Sequence, residues 1–423
     1  MNWGNINKFL EMYTQHKHYH ILFDKYRIKK MASGRTMAKI LFNAVNDKGV
    51  LFSAISREAF YDWYTYHQID GNNYTFVYNL KVKPSADLLK KIYDDRNSII
   101  KLNLTDINPD NESEDLDTVM PNLTDVNLVG IHKDEINNKY TFSFVAPCIV
   151  NGKRLDGSTR SFKKIFFTHC VVSSDSYDCK VIFNPTANLE HVNGMVKNKR
   201  SDWSSIADMF FEILKTYIGD IKITAPLWIP NALSRFVEEA TRHNNPIITE
   251  HSFNLQDKIV NFTSDLLAEA GLDPIKDSAM QMKLVQDIQV SFEAQLVEKY
   301  GVILEDTENF EIFRQRSDGL THTIDVESRA QSLLGSAAQA AKRSRGDGDI
   351  ELLGINFRKE ERAYKFLVEQ GHDAYLVRGT NTFIEEEVVD IVIRRLNQYR
   401  DEIQTAEFCI VGGNEGTSLA SSE

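Results

Sequence analysis

Several common sequence signatures are missing from this chain of 423 residues, and their absence argues against some classes of protein. The four cysteines form no CxxC pair, so we expect buried thiols in a reducing compartment (Cys148, Cys170, Cys179, Cys409). The first residues lack a basic segment followed by an apolar core, so we expect no signal peptide. No run of about 18 apolar residues occurs, so no membrane span is predicted. These features predict a soluble, cytoplasmic protein.

Motifs of the familiar enzyme classes are absent as well. The chain contains no GxxxxGK or GxGxxG phosphate loop, no HExxH and no GxSxG. These absences argue against a common NTPase, dinucleotide oxidoreductase, zinc protease or serine hydrolase. They leave open whether the protein is an enzyme, and no cofactor is predicted from a motif.

Composition favours a multidomain globular protein with an acidic surface. Apolar residues make up 42% of the chain and aromatic residues 10%, which is ample for sizeable cores in two or three domains. The formal net charge of −11 means that any contact with nucleic acid must come from a local basic patch.

Hydrophobic patterning divides the chain into an α+β fold of three parts. We predict a mixed antiparallel α+β domain over 1–200, a helical middle region over 201–345, a small α/β unit with a parallel sheet over 346–413, and a disordered tail over 414–423. Within the first domain, 102–132 is rich in acids and contains no lysine or arginine, so we predict a mobile loop.

The N-terminal domain begins with a predicted helix over 5–13. Its later helix, over 86–93, has Ser85 as an N-cap. Short apolar runs and alternating segments predict the strands 19–23, 38–44, 50–55, 74–82, 140–145, 161–172 and 179–183.

In the middle region the hydrophobic period changes to 3.6. Helices are predicted over 203–217, 231–242, 257–270 and 277–300. The last of these carries apolar residues at four-residue intervals, which indicates a packing edge within the chain or against a dimer partner (Met280, Leu284, Ile288, Phe292, Leu296, Tyr300). We therefore predict a protein partner or a homo-oligomer through helices 203–217 and 277–300.

The closing unit is predicted to alternate strands and helices. Strands at 350–356, 374–377 and 408–411 would be joined by a helix over 358–370, ended by Gly371, and by a helical or partly extended segment over 383–403. Connections of this kind indicate a parallel sheet with its ligand site beyond the carboxyl ends of the strands.

Two sets of acids would suit a divergent metal-dependent nuclease using Mg²⁺ or Mn²⁺. In the first set, Asp390 and Glu407 lie on strands and Glu361 (or Glu360) lies on the preceding helix; Cys409 stands where a catalytic lysine belongs. The second set is the tripeptide of Asp178, Cys179 and Lys180. The more ordinary interpretation places Asp390 on a solvated helix and Glu407 at a strand edge.

Two further groups suggest binding. A basic patch for nucleic-acid phosphates is predicted from Lys342, Arg343, Arg345, Arg358, Lys359 and Arg362, although interleaved acids are also typical of a plain solvated surface. His16, His18 and His20 would share one face if they lay on a strand, and could bind a metal there; surface histidines are the simpler interpretation. No metal ligand set is assigned.

Taken together, these features favour an interaction or regulatory protein that acts within an assembly and contacts nucleic acid, if at all, through the basic patch. The alternatives from other classes are the metal-dependent nuclease and a viral or phage structural component.

Overall fold

The computed structural model describes residues 2–47, 53–110, 112–154, 156–199, 202–241, 245–301, 310–318, 323–328, 349–360, 362–380 and 382–414; for 241 and 406–414 it describes the backbone alone. The chain forms two compact units. Unit 1 comprises Met1–Pro226 and Gly371–Asp390, and unit 2 comprises Leu227–Gln370 and Ile391–Glu423.

Unit 1 begins with four helices, and two of them replace predicted strands. The helices are α1 (Trp3–Tyr13), α2 (His16–Lys25), α3 (Gly34–Asn46) and α4 (Arg57–Tyr66), with a 3-10 turn at His67–Ile69. The predicted helix over 5–13 is confirmed, but the strands over 19–23 and 38–44 are wrong. The buried residues recur at helical spacing, with Tyr19, Leu22 and Phe23 in α2 and Met37, Leu41 and Val45 in α3, so the period of 3.6 outweighs the short apolar runs.

The sheet of unit 1 contains most of the predicted strands. However, its strand over 127–134 includes residues of the segment predicted as a mobile loop, and residues 53–55, the described part of the strand predicted over 50–55, form no strand. Its strands are β1 (Tyr74–Leu80), β2 (Asn127–Asp134), β3 (Lys139–Lys153), β4 (Thr159–Ser173), β5 (Asp178–Phe183), β6 (Leu189–Val192), β7 (Ile223–Thr224) and β12 (Ala374–Gly379). Strands lie in the order β2-β3-β4-β5-β1-β12, with β6 beside β3 and β7 beside β1. All of these pairs whose register is described are antiparallel.

Each face of this sheet carries its own apolar core. One core joins Phe144 and Phe166 to helices α5 (Ala86–Asp94) and α7 (Ser204–Ile218). The other joins Val145 and Ile165 to α1–α4. Because successive side chains of a strand point to opposite faces, these neighbouring residues supply different cores. The predicted cap of α5 is confirmed: the Ser85 hydroxyl accepts from the Leu88 amide at 3.4 Å.

The acidic segment 102–132 is anchored by its few apolar residues. After helix α6 (Arg96–Ile99) and a 3-10 turn at Leu104–Asp106, its buried side chains join the core that contains α1–α4 (Leu104, Ile107, Val119, Met120, Leu123). Its carboxylates remain at the surface, where Asp110 pairs with Lys8 at 2.6 Å. The segment therefore covers part of the first four helices.

Unit 2 consists of helices and an antiparallel set of strands. It contains α8 (Ile229–Thr241), α9 (Pro246–Glu269), α10 (Ser278–Tyr300) and most of α11 (Glu386–Asn414). Its strands are β8 (Phe310–Asp318), β9 (Thr323–Glu327), β10 (Ile350–Lys359) and β11 (Arg362–Glu369), paired in the order β11-β10-β8-β9.

The predicted parallel C-terminal sheet is wrong. Strands β10 and β11 form an antiparallel hairpin whose turn residue Glu360 has φ 56°, so the helix predicted over 358–370 does not exist. In the first half of β11 the buried Tyr364 and Phe366 alternate with the exposed Ala363 and Lys365, which is strand periodicity. The strand predicted over 408–411 is also absent, because α11 runs through it. The overall class is α+β.

Candidate functional sites: a buried ion-pair cluster and an exposed helical hairpin

Four charged side chains meet on one face of the sheet of unit 1. This ion-pair cluster consists of Lys139, Lys180, Glu386 and Asp390. The two lysines face β4 positions two residues apart, since Lys139 pairs with Ser173 and Lys180 with Val171, so they project from the same side. Glu386 and Asp390 lie one helical turn apart at the start of α11.

Lys180 lies at the centre of the cluster and is only 6% exposed. Its Nζ donates to Asp390 Oδ1 at 2.5 Å and also contacts the Glu386 carboxylate. Lys139 contacts the other oxygen of Asp390, and its Nζ lies 3.7 Å from Glu386 Oε1. The cluster is therefore a closed arrangement of two cations and two carboxylates.

The neighbouring charges hold Asp390 and Lys180 in their charged forms. Burial disfavours the ionised carboxylate of Asp390, but Lys180 and Lys139 outweigh it and lower the pKa. Burial likewise disfavours the ammonium of Lys180, but Asp390 and Glu386 raise its pKa. A buried ion of either sign would be costly alone, so each member depends on its partners.

Asp70 fixes the first turn of α11 above this cluster. Its Oδ1 accepts a hydrogen bond from the Glu386 amide at 2.8 Å. Two backbone hydrogen bonds between Gly71 and Ile384, of 2.9 and 3.0 Å, hold the segment that leads into α11. Burial raises the pKa of Asp70 to about 7, despite the amide hydrogen bond; the neighbouring glutamates 385–387 add to the rise.

The Asp70→Asn variant is expected to change how stability depends on pH. Above about pH 4 the unfolded chain has released this proton, whereas folded Asp70 keeps it up to about pH 7. Protonated Asp70 therefore contributes to the free energy of unfolding at low pH, and this contribution is lost as pH rises between these values. The introduced asparagine does not titrate, so the free energy of unfolding of the variant should fall less over the same range. Urea unfolding at several pH values measures it. Parallel curves for variant and wild type would contradict the assignment.

The cluster brings together residues from the two sets of nuclease acids. Asp390 belongs to the first set and Lys180 to the second, and they meet although 210 residues separate them. Asp390 lies on a helix and not on the predicted strand; Glu407 lies on the same helix, with its side chain outside the description, and Glu361 is outside the described residues. Asp178 accepts from Asn79 Nδ2 at 2.9 Å. No group of three metal-binding side chains occurs among the described residues. Catalytic roles for these acids stay predictions.

The described part of the basic patch lies at the tip of the β10–β11 hairpin. Arg358 and Lys359 end β10, and Arg362 begins β11. Arg358 pairs with Glu311 at 3.6 Å, and the Arg362 guanidinium lies 4.4 Å from the centre of the Tyr364 ring. Lys342, Arg343 and Arg345 lie outside the described residues, so the nucleic-acid patch stays a prediction.

The histidines singled out in the sequence lie on helix α2. His16 and His20 are one turn apart, and His18 points elsewhere: it is buried, with Nε2 2.9 Å from the Asp70 carbonyl oxygen. The shared strand face on which a metal site would depend is therefore absent.

The two helices predicted to bind partners differ sharply in exposure. The apolar side of helix α7 packs into the core of unit 1, where Ile206, Phe210 and Leu214 are fully buried. Helices α9 and α10 pack against each other as an antiparallel hairpin, which is called the helical hairpin below. Several of its large apolar side chains face outward: Phe253 is 75% exposed, Phe262 55%, Leu266 45%, Met280 51% and Met282 68%.

The contact between α9 and α10 has a mixed composition. Ile248 and Leu267 of α9 are buried, each at most 1% exposed, beside the small or polar side chains of Ser252, Thr263 and Ala294, each at most 4% exposed. The Ser252 hydroxyl accepts from Gln289 Nε2 at 3.1 Å, and the Ser264 hydroxyl accepts from Gln281 Nε2 at 2.6 Å. Sequence periodicity predicted the helices but not this arrangement, because α10 carries apolar residues around most of its circumference.

No helix among the described residues is both long enough and apolar enough to cross a membrane. No protein-family model, curated protein or solved structure matches the chain.

Proposed function

We propose that the protein is a component of an assembly, and that its helical hairpin packs against the helical hairpin of a second copy. The exposed apolar surface of α9 and α10 is the observation that carries this proposal. Single exposed apolar residues are normal, but several large ones on one pair of helices are typical of an interaction surface.

Exposed aromatic residues on the hairpin support a four-helix arrangement. Ile248 and Leu267 are buried, but Phe253 and Phe262 are left 75% and 55% exposed. Phe253 and Phe262 would be buried only if another molecule packed against α9 and α10. Burying such a side chain contributes about 1.5–3 kcal/mol, so several of them can offset the entropy lost on association.

The dimensions and charges of the hairpin favour a second copy as the occupant. Helices α9 and α10 have 24 and 23 residues, so two hairpins match along about 35 Å of length. The same surface carries both signs of charge, including Asp257, Lys258 and Lys283. A twofold contact pairs each patch with itself, and a surface with both signs can complement itself in that way.

We assign this assembly to the cytoplasm, as the cysteine content predicts. Cys148, Cys170 and Cys179 are free and buried, and burial raises the pKa of the Cys148 thiol to about 12. Thiols that stay protonated and reduced suit a reducing compartment.

Cross-linking through an introduced cysteine tests the proposal. In a Cys409→Ser background, Met282→Cys should give a covalent dimer with a bismaleimide. Ile136→Cys, at a residue that is 93% exposed in unit 1, serves as the matched control and should give none. Equal cross-linking at both positions, or none at either, would contradict the proposed contact.

A further inference from the structure

A cavity of about 510 Å³ opens between helices α1, α2 and α3 of unit 1. Its apolar lining includes Leu10 and Tyr19, each 1% exposed, and Ala38 of α3. Small-molecule sites typically measure about 300–1,000 Å³ and combine apolar walls with a few convergent polar groups. The size and lining of this cavity meet that description.

Three nitrogen-bearing side chains line the same cavity. Arg35 and Lys39 lie one turn apart on α3, and His16 is the first residue of α2. Gly34 lies beside the imidazole, since a Cβ built there would be in van der Waals contact with His16 Nε2 at 3.4 Å. Hydrogen-bond donors from two helices therefore converge beside the apolar lining.

The wall formed by α1 is polar and carries Asn7 and Glu11. Glu11 Oε1 lies 3.7 Å from Arg35, but both side chains are at least 70% exposed. An exposed pair at this distance contributes little, so the guanidinium can turn to a ligand at small cost. Asn7 and Glu11 would then accept hydrogen bonds from hydroxyl or amino groups of that ligand.

We propose that this cavity binds a phosphorylated small molecule of the nucleoside monophosphate class. A phosphate presents three acceptor oxygens, which matches three donor side chains better than the two oxygens of a carboxylate do. A guanidinium fork and an ammonium bind phosphate strongly through charge-assisted hydrogen bonds. The apolar body of the ligand lies against Ala38, with Leu10 and Tyr19 buried behind this wall, and its polar groups face α1. This site lies in unit 1, away from the helical hairpin in the chain, and goes beyond the proposed assembly function.

Calorimetric titration of the full chain with AMP tests the proposal. Arg35→Glu/Lys39→Glu should weaken AMP binding at least tenfold, because two charge-assisted contacts are replaced by repulsion. Lys90→Glu/Lys91→Glu makes the same change in net charge on the exposed side of α5 and should bind AMP as the wild type does. Ala38→Phe, which fills part of the cavity without changing its charge, should also weaken binding.

The outcomes separate this site from general attraction of anions. Loss in the Arg35/Lys39 variant and in Ala38→Phe, with retention in the Lys90/Lys91 control, supports the site. Equal loss in both charge variants, binding of inorganic phosphate as tight as that of AMP, or no binding of AMP to the wild type would each overturn it. Circular dichroism shows whether each variant is folded. If Arg35→Glu/Lys39→Glu does not fold, Arg35→Gln/Lys39→Gln removes the same two charges without reversing them.

Discussion

Replacing Lys180 by methionine is expected to lower the free energy of unfolding by about 3–5 kcal/mol. The substitution removes the cation that contacts both Asp390 and Glu386, and leaves two carboxylates at a site where Lys180 itself was only 6% exposed. Lys139 alone then compensates them. An uncompensated buried charge costs far more than the lost pair contributed, because its hydration is not restored.

Two comparisons make this expectation specific to the cluster. Lys153→Met changes an exposed strand lysine in the same sheet and should shift stability by no more than about 0.5 kcal/mol. Adding Asp390→Leu to Lys180→Met removes one of the two orphaned carboxylates and leaves Lys139 paired with Glu386, so part of the loss should be recovered. Urea unfolding measures all three. If Lys180→Met and Lys153→Met lost the same stability, the cluster would not have the role assigned to it.

Replacing Phe253 by glutamate is expected to weaken self-association by roughly a thousandfold. A buried aromatic residue at the centre of an interface contributes at least ~2 kcal/mol. A twofold contact contains each residue twice, so the loss is about 4 kcal/mol, or three powers of ten in the dissociation constant. Phe253 is 75% exposed in the single chain, so the fold itself should keep its stability.

Ile136→Glu is the matched control for this variant. Ile136 is 93% exposed in the turn between β2 and β3, so the same chemical change is made away from the helical hairpin. Sedimentation equilibrium of both variants gives the dissociation constants. An unchanged constant for Phe253→Glu, or an equal change in Ile136→Glu, would show that the hairpin is not the contact.

The strands of unit 1 could be predicted because their signals are local. In Tyr74–Leu80 the large apolar residues alternate with other residues along the sequence, and the hydroxyl of Ser85 marks the start of α5 as an N-cap. The segments His16–Lys25 and Arg362–Glu369 could not be predicted in this way, because both are short mixtures of apolar and charged residues. Their periods of 3.6 and 2 become evident only from which side chains are buried, and that is decided by tertiary packing.

The candidate sites were predictable only in part. Asp390 and Lys180 each stood out in the sequence, but nothing local relates two residues that are 210 positions apart. Helix α10 was predicted together with its role as a packing edge. The exposure of large apolar residues on both helices of the hairpin was not predicted, because it depends on how α9 and α10 are rotated about their axes.

The mass of the purified full chain in solution, measured by light scattering over a wide range of concentrations, tests the central claim most directly. The account predicts a mass that rises with concentration toward twice the 48.4 kDa of the single chain. A mass that stays at 48.4 kDa at every concentration would contradict assembly through the helical hairpin of a second copy.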